Sequence, residues 1–430
     1  MKAVTWGEFR LGAGLSIKHG FAFLGEYFVS SGTKIVLTPG NFVEAGGFKP
    51  KSGSEKYYEG PIPDPYLLSR GSVVVAMTEQ SVGLLGSAAT VPVDDVYLHN
   101  QRIGLVRITD GSVLDVRFVY HLMNSPEVRR QIQATATGAK IRHTAPERIQ
   151  NVVVQLPPVS TQRSIAQVLD SIADLIENNR RRVELLEQMV QAIYREWFVH
   201  FRYPGHEHDE LIDSPLGPIP SPWSVTPVRD LCSSIQSGGT PRRSEAAFWS
   251  DGTIPWYKTG DLTDSVLVES SERISEVAIQ KSTARLFEPE TILMAIYGSP
   301  TVGRLGLVVT PSSCNQAALG IRAKPSVSTT EFLWHVLAGL RDHLNGIAQG
   351  AAQQNVSKAK VEAAPAILPT WELVSRFTSM VSGPWRLAHV LARQTHTLVG
   401  IRDLLLPGLV TGRIDVSRLN LESLLEGAGA

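Results

Sequence analysis

The chain has 430 residues, in which 41 lysines and arginines balance 41 aspartates and glutamates, and 43% of the residues are hydrophobic. At about 150 residues per domain, this length predicts roughly two to four domains with packed cores. The formal net charge of zero argues against a protein that coats DNA without sequence preference, because such proteins carry a basic excess.

Cys232 and Cys314 are the only cysteines. Two cysteines form neither a disulfide framework nor a Cys-rich zinc site, so we expect a reducing, cytoplasmic environment. The first residues lack the apolar core of a signal peptide. No uncharged apolar run approaches the roughly 18 residues of a membrane span, so we expect a soluble protein without a membrane segment.

The first segment, residues 1–158, has mixed α and β patterns. A β-branched run at 73–77 predicts a buried strand, and residues 115–134 have a helical pattern. Two polar stretches carry cations that could contact DNA phosphates, although a solvated basic loop is the alternative reading. These candidates are Lys49, Lys51, Lys56 and Tyr57 in the first stretch, and Lys140 and Arg142 in the second.

Residues 159–204 predict one long helix. Its apolar residues alternate in steps of four and three, which is heptad spacing and requires a partner helix. Asn179 interrupts this seam, and a lone Asn there typically fixes the register of two helices. The predicted seam consists of Ile165, Leu169, Ile172, Ile176, Asn179, Val183, Leu186, Ile193 and Trp197.

The segment 205–370 begins with a proline-rich stretch, residues 211–223, which predicts a linker and not a core element. His206 and His208 stand beside two acidic residues, where a solvated loop is favoured over a metal site. The segment also offers hydroxyl, amide and cationic groups of the kind that bind phosphates or base edges. These candidates are Ser237, Gly238, Gly239, Thr240, Arg242, Arg243, Lys258, Gln353, Gln354 and Asn355.

The two halves of the chain repeat each other. Residues 138–157 match residues 350–369 at an offset of 212, and Asn100-Gln101 matches Asn315-Gln316 at an offset of 215. Gly40-Asn41-Phe42 matches Gly260-Asp261-Leu262 at an offset of 220. The Asn-Gln pairs either contact bases or satisfy buried backbone groups. The drifting offset predicts two domains on one scaffold that differ in their loops.

The second long helix is predicted at 371–414, followed by a tail at 415–430. Its seam includes Leu391, Leu398 and Leu405, but Gly383-Pro384 should break or kink it near 383–384, or delay its start. The fold class that follows is α+β. We expect two mixed α/β domains separated by two long antiparallel coiled-coil helices, with a pseudo-twofold internal repeat.

The sequence lacks the signatures of enzymes that modify DNA. It contains no G-x-x-x-x-G-K-[ST] phosphate loop, no glycine-rich cofactor turn, no adenine-methyltransferase motif and no deaminase motif. We therefore expect a binding protein without catalytic residues or a metal site.

The layout resembles the specificity subunits of type I restriction-modification systems. The resemblance lies in SGGTP at 237–241, IPWYKTGDL at 254–262, Asn315-Gln316, the Gly350–Asn355–Leu368-Pro369 lead-in, and LLLPGLVTGRIDV at 404–416. It implies two target recognition domains, each reading one half of a bipartite asymmetric DNA site, with the helices setting the spacer. It also implies two methyltransferase subunits and motor-nuclease subunits as partners, which would hold S-adenosylmethionine, ATP and Mg.

Two alternatives remain open at this point. The chain could be the specificity module of a combined restriction-methylation system, or a coiled-coil scaffold that does not read DNA. The first requires catalytic residues that no motif reveals, and the second requires domains that bind only proteins.

Overall fold

The computed structural model describes residues 5–51, 53–79, 83–298, 301–348 and 355–419. The chain divides into two compact units, of which the first comprises Met1–Ile176 and Thr397–Ala430 and the second comprises Glu177–His396. Within the described residues, no helix is both long enough and apolar enough to cross a bilayer.

The first unit is built around a four-stranded antiparallel sheet. Its strands lie in the order Leu15–His19, Ile103–Ile108, Val73–Ala76 and Ala88–Thr90. All four residues of Val73–Ala76 are buried, which confirms the predicted strand. A continuous apolar run suits a strand that is covered on both faces.

Shorter elements surround this sheet. The helical pattern at 115–134 forms two helices, because Ser125 caps a new helix whose first residue is Pro126. The helices of the first unit, apart from the long ones, are Val116–Met123, Pro126–Ala134 and Pro146–Gln150. The remaining strands are Gly7–Arg10, Phe28–Val29, Ile35–Val36, Tyr57–Tyr58, Thr78–Glu79, Tyr97–Leu98, Arg142–His143 and Val153–Leu156.

The second unit is built around a five-stranded sheet. Its order is Cys232–Ser237, Ala318–Ala323, Ile292–Ala295, Leu305–Val308 and Ser265–Leu267, and only the last pair is parallel. Its shorter helices are Glu276–Lys281, Thr330–Gly339, Arg341–Gly346 and Lys358–Ala363. The remaining strands are Leu211–Ile212, Ile219–Pro220, Ser224–Pro227, Ile254–Tyr257, Arg273–Ile274, Ser313–Cys314 and Pro365–Leu368.

The same topology occurs in both units. The first four strands of the second sheet occupy the same order as the four strands of the first. Each unit also has a parallel two-strand pair beside its sheet and an antiparallel pairing of an early strand with the last one. The internal repeat predicted from the sequence is therefore a repeat of the fold.

The proline-rich stretch is more than a linker. Residues 211–212 pair with 219–220 as a short antiparallel hairpin. Ile219 and Trp223 belong to the hydrophobic core of the second unit. The prediction that 211–223 contributes nothing to a core is wrong, because the apolar side chains between the prolines find buried positions.

The first long helix is Val159–Tyr194, followed by a π-helical turn at Arg195–Val199, so it ends before the predicted residue 204. The second long helix is Trp371–Val410. It continues through Gly383 and Pro384, so the predicted break and late start are wrong, and it ends four residues before the predicted 414. The predicted kink concerns the direction of the helix axis and stays a prediction.

The apolar seam of the first helix faces the protein. In the first unit, Ile165, Leu169, Ile172 and Ile176 share a hydrophobic cluster with Leu398 and Leu405 of the second long helix. In the second unit, Val190 and Trp197 share a cluster with Phe377, Val381 and Trp385, and Ile193 packs against it. Leu391 is buried, whereas Val183 and Leu186 are half-buried.

Asn179 is 2% exposed, and its Nδ2 has no hydrogen-bond partner among the described residues. A buried amide without a partner costs stability. Its position in the seam fits a residue that specifies how the helices align.

Candidate nucleic-acid interface

The SGGTP turn lies at the end of the first strand of the second sheet, where its glycines allow two chain segments to touch. A β-carbon at Gly238 would lie 2.3 Å from the carbonyl oxygen of Asn315. The Gly239 N–H donates to the Cys314 carbonyl at 2.9 Å, and the indole N–H of Trp256 donates to the Gly239 carbonyl at 3.0 Å. Only glycine fits such an approach, so the turn, the IPWYKTGDL segment and the Asn-Gln pair are held together.

The Asn315-Gln316 pair has local partners in this arrangement. The Asn315 N–H donates to the Tyr257 carbonyl at 2.9 Å, and the Thr240 hydroxyl donates to the Gln316 side-chain oxygen. Asn315 Oδ1 is buried without a partner among the described residues. The backbone of Asn315 is thus held in the turn while its side-chain oxygen satisfies no backbone group among the described residues, and Gln316 is exposed beside the half-buried Thr240.

Two of the predicted cations meet at one carboxylate. Arg243 forms an ion pair with Glu272, and Lys258 Nζ lies 2.7 Å from the other oxygen of the same carboxylate. These hydrogen bonds, first that of Arg243 and then that of Lys258, lower the pKa of Glu272. The Arg243 guanidinium also lies 3.8 Å from the ring centre of Trp249. A guanidinium held on an indole face is pre-ordered for contact with a phosphate or a guanine edge.

Sequence reasoning missed Glu272 and Trp249. Glu272 lies 29 residues from Arg243 in the chain, so no local spacing links the two. Arg242 is exposed beside this cluster, and its carbonyl accepts the indole N–H of Trp249 at 3.1 Å. The structure therefore assembles Thr240, Arg242, Arg243 and Lys258 into one surface, with Glu272 partly neutralising it.

The first unit has a matching close approach. A β-carbon at Gly20 would lie 2.0 Å from the carbonyl oxygen of Asn100. The same relation holds in the second unit between Gly238 and Asn315. The turn at His19-Gly20-Phe21 therefore corresponds to the SGGTP turn of the second unit. Asn100 uses its own side chain locally, since its Oδ1 accepts the N–H of Arg102 at 3.0 Å.

A second shared feature is the turn matched at an offset of 220. The Asn41 side chain accepts the Thr38 N–H at 2.9 Å, and the Asp261 side chain accepts the Lys258 N–H at 2.8 Å. Both turns are 3-10 helices, so the Gly-Asn and Gly-Asp pairs match because they build the same capped turn.

The lysines of the first unit extend from this turn. The Lys49 N–H donates to the Asn41 carbonyl at 2.8 Å, while its side chain is exposed. Lys56 is exposed, Lys51 is half-buried, and Tyr57 lies half-buried in a strand between Val29 and Ile35. Lys49 and Lys56 are free to meet a polyanion, whereas Tyr57 is held mainly by the sheet.

Lys140 and Arg142, the second basic stretch of the first unit, have different environments. Lys140 is exposed. The Arg142 guanidinium lies 3.1 Å from Glu79, whose side chain is 2% exposed, and donates to the Gln133 carbonyl at 2.6 Å. Arg142 therefore serves the fold by neutralising a buried carboxylate, which its sequence position did not reveal.

The counterpart of this cluster in the second unit is only partly described. Gln353 and Gln354 lie outside the described residues. Asn355 pairs with Tyr297 through a single bridge, and its Oδ1 is buried without a partner among the described residues. Its neighbourhood is that of a backbone-pairing residue, not of an exposed reader of bases.

The histidine cluster after the first long helix is held by local bonds. His206 Nδ1 lies 2.8 Å from the Tyr203 carbonyl oxygen, and the Tyr203 hydroxyl donates to Asp209 at 2.6 Å. Across the described ranges, no group of three or more His, Cys, Asp or Glu side chains is placed to hold a metal ion.

Comparison with known proteins gives the class of this architecture. A model of the type I restriction modification DNA specificity domain matches residues 220–372, which include the SGGTP turn and both cations at Glu272. The MjaIX specificity subunit of Methanocaldococcus jannaschii is 23% identical over 402 residues, covering 87% of this chain and 92% of that protein. The HindI specificity subunit of Haemophilus influenzae is 22% identical, covering 62% and 70%.

The fold points the same way. The type I S subunit from M. genitalium has a crystal structure similar to this one, with a TM-score of 0.64 over 95% of this chain and 97% of that chain at 13% identity. Residues 220–372 match the DNA specificity domain of type I restriction-modification systems, and the relative that aligns with most of the chain is a specificity subunit, which confirms the resemblance found in the sequence. The names of the relatives confirm the prediction of a specificity subunit rather than a catalytic one.

Proposed function

We propose that each unit reads one half of a bipartite, asymmetric DNA site. The observation that carries this proposal is the repeated fold, in which Gly20 and Gly238 hold equivalent turns against Asn100 and Asn315. The loops around the two turns carry different side chains, as expected if the two half-sites differ. In the second unit, Arg242, Arg243 and Lys258 supply the cations, and in the first unit Lys49, Lys56 and Lys140 supply them.

We further propose that the two long helices pair antiparallel as a coiled coil, set the length of the unspecified spacer and dock two methyltransferase subunits. The seam supports pairing, because its apolar side chains are buried in both units. Exposed apolar side chains on both helices support docking, because a partner surface would remove them from water. Examples are Leu185, Met189, Met380, Leu387 and Leu404.

The proposed division of labour leaves this chain without a cofactor. S-adenosylmethionine would bind in the methyltransferase subunits, and ATP and Mg in the motor-nuclease subunits. A cytoplasmic location is proposed because Cys232 and Cys314 are both free thiols, as is typical of a reducing compartment.

The test is reconstitution with sequencing of the methylated product. The full chain, its methyltransferase subunits, S-adenosylmethionine and plasmid DNA should give adenine methylation at one bipartite motif. The chain alone should give none. Robust methylation by the chain alone would instead support a combined restriction-methylation module, and a complex that assembles without binding DNA would support a scaffold.

A further inference from the structure

A cavity of about 390 Å³ lies in the second unit, beside the first and second long helices. Four ring side chains form part of its wall, namely Trp334, His335, Trp385 and His389. The ring centroids of Trp334 and Trp385 are 5.7 Å apart at 72°, and those of Trp385 and His389 are 4.6 Å apart at 71°. Rings that meet edge to face leave much of each electron-rich face available to another group.

The rest of the wall combines neutral polar and apolar side chains with three carboxylates, those of Glu184, Glu187 and Asp264. Among its described residues Arg341 is the one cation, in an ion pair with Asp264. Burial lowers the pKa of His335 and of His389 to about 4, so both are neutral at pH 7. Three carboxylates against one guanidinium leave a formal surplus of two negative charges.

The carboxylates of Glu184 and Glu187 on the first long helix repel each other. Loss of hydration, and then the charge of Glu184, raise the pKa of Glu187. A cation placed between the aromatic rings and these carboxylates would relieve that repulsion. The cavity therefore favours an organic cation over a neutral or anionic ligand.

The two units differ at one histidine that lines this cavity in the second unit. Phe118 and Phe332 lie three residues after the caps of equivalent helices, so His121 corresponds to His335. His121 Nε2 lies 2.7 Å from Asp170. Ser382 stands at the position corresponding to Asp170, and the His335 Nε2 has no partner among the described residues.

We propose that this cavity binds the guanidinium group of an arginine side chain presented by a partner polypeptide. A planar guanidinium stacks on an indole and can donate to two carboxylates at once, which an ammonium cannot do equally well. The exposed apolar side chains Leu185, Met189 and Leu387 on the same helices suit a polypeptide better than a free amine. The assignment does not require that the chain reads DNA, so its test is separate from the methylation test.

The experiment uses the full chain labelled with 5-fluorotryptophan and observed by fluorine NMR. The signal of Trp334, identified with Trp334→Phe, should shift on titration with arginine amide. Citrulline amide, the neutral isostere, should have little effect. Glu187→Gln should weaken binding by about two- to fivefold, since an exposed charge pair contributes about 0.5–1 kcal/mol.

Glu177→Gln is the matched control, because Glu177 is an exposed acid of the same helix that does not line the cavity, and it should bind as the unmodified chain does. Glu184→Gln serves if Glu187→Gln does not fold. An absent shift, an equal shift with citrulline amide, or unchanged affinity in the glutamine variants would overturn the proposal. Preferential binding of spermidine would also overturn it, by assigning the cavity to a free polyamine.

Discussion

The two basic residues that flank Ile141 have different environments although they are two positions apart. Arg142 neutralises the buried Glu79, whose carboxylate also accepts the backbone N–H groups of Gly83 and Leu85 at 3.1 and 2.7 Å. Lys140 is exposed.

We predict that Arg142→Gln destabilises the chain by about 3 kcal/mol, because it leaves the buried Glu79 carboxylate without its ion-pair partner. Lys140→Gln should leave stability unchanged and weaken DNA binding by the assembled complex. Urea unfolding and a binding titration at fixed salt measure the two effects. The assignment fails if Arg142→Gln folds with full stability.

Glu272 partly neutralises Arg243 and Lys258 in the second unit. We predict that Glu272→Gln tightens DNA binding at low salt, because Arg243 and Lys258 lose a competing carboxylate. The slope of log affinity against log salt should steepen by about 0.9 for each additional phosphate that these cations neutralise. Glu269→Gln is the matched control, since Glu269 contacts His396 instead. Equal effects of both variants would count against this role.

The ion pairs of Glu272 with Arg243 and Lys258 make the free energy of unfolding depend on pH. Because Arg243 and Lys258 lower the pKa of Glu272, the carboxylate is charged throughout the neutral range in both folded and unfolded chains. Its contribution to stability is present above the ordinary pKa of a glutamate and is lost as the pH falls through the lowered value. We therefore expect the free energy of unfolding of the unmodified chain to fall as the pH drops through the lowered pKa of Glu272. The Glu272→Gln variant has no carboxylate at this position, so its free energy of unfolding should lack this decrease.

At the scale of elements, the second long helix is the main departure from expectation. A helix that includes Gly383-Pro384 is maintained by its buried apolar side chains, among them Phe377, Val381 and Trp385. Tertiary packing commonly overrides local propensity in this way.

We predict that Gly400→Ala stabilises the chain by about 0.5–1 kcal/mol, because alanine loses less entropy in a helix and open space surrounds this glycine. Gly383→Ala should stabilise the chain less or destabilise it, because Pro384 follows and its ring crowds a β-carbon on the preceding helical residue. Thermal unfolding of the two variants measures the difference. Equal stabilisation by both variants would mean that residue 383 is not in the helical conformation.

At the scale of the whole molecule, the proposed reading of one half-site by each unit requires that the units be exchangeable one at a time. We predict that replacing residues 1–158 with the first domain of another specificity subunit changes only one half of the methylated motif. The second half should stay fixed because its unit is unchanged. Methylome sequencing of cells that carry each chimera reads both halves, and a change in both would exclude modular reading.

The sequence alone was sufficient for the repeat, the buried strand predicted at 73–77, the first long helix and the resemblance to specificity subunits. Each rests on local information, namely periodicity and matched segments, which a chain carries before it folds. The apolar seam could be read because heptad spacing is a property of neighbouring residues.

Only the tertiary structure decided which polar residues serve the fold and which face outward. Arg142 stabilises the fold through its ion pair with Glu79, which lies 63 residues away in the chain. Arg243 and Lys258 lie together because both form ion pairs with Glu272. The continuity of the helix at Pro384 also depended on buried contacts. These outcomes depend on long-range pairing and burial, which a local sequence pattern does not contain.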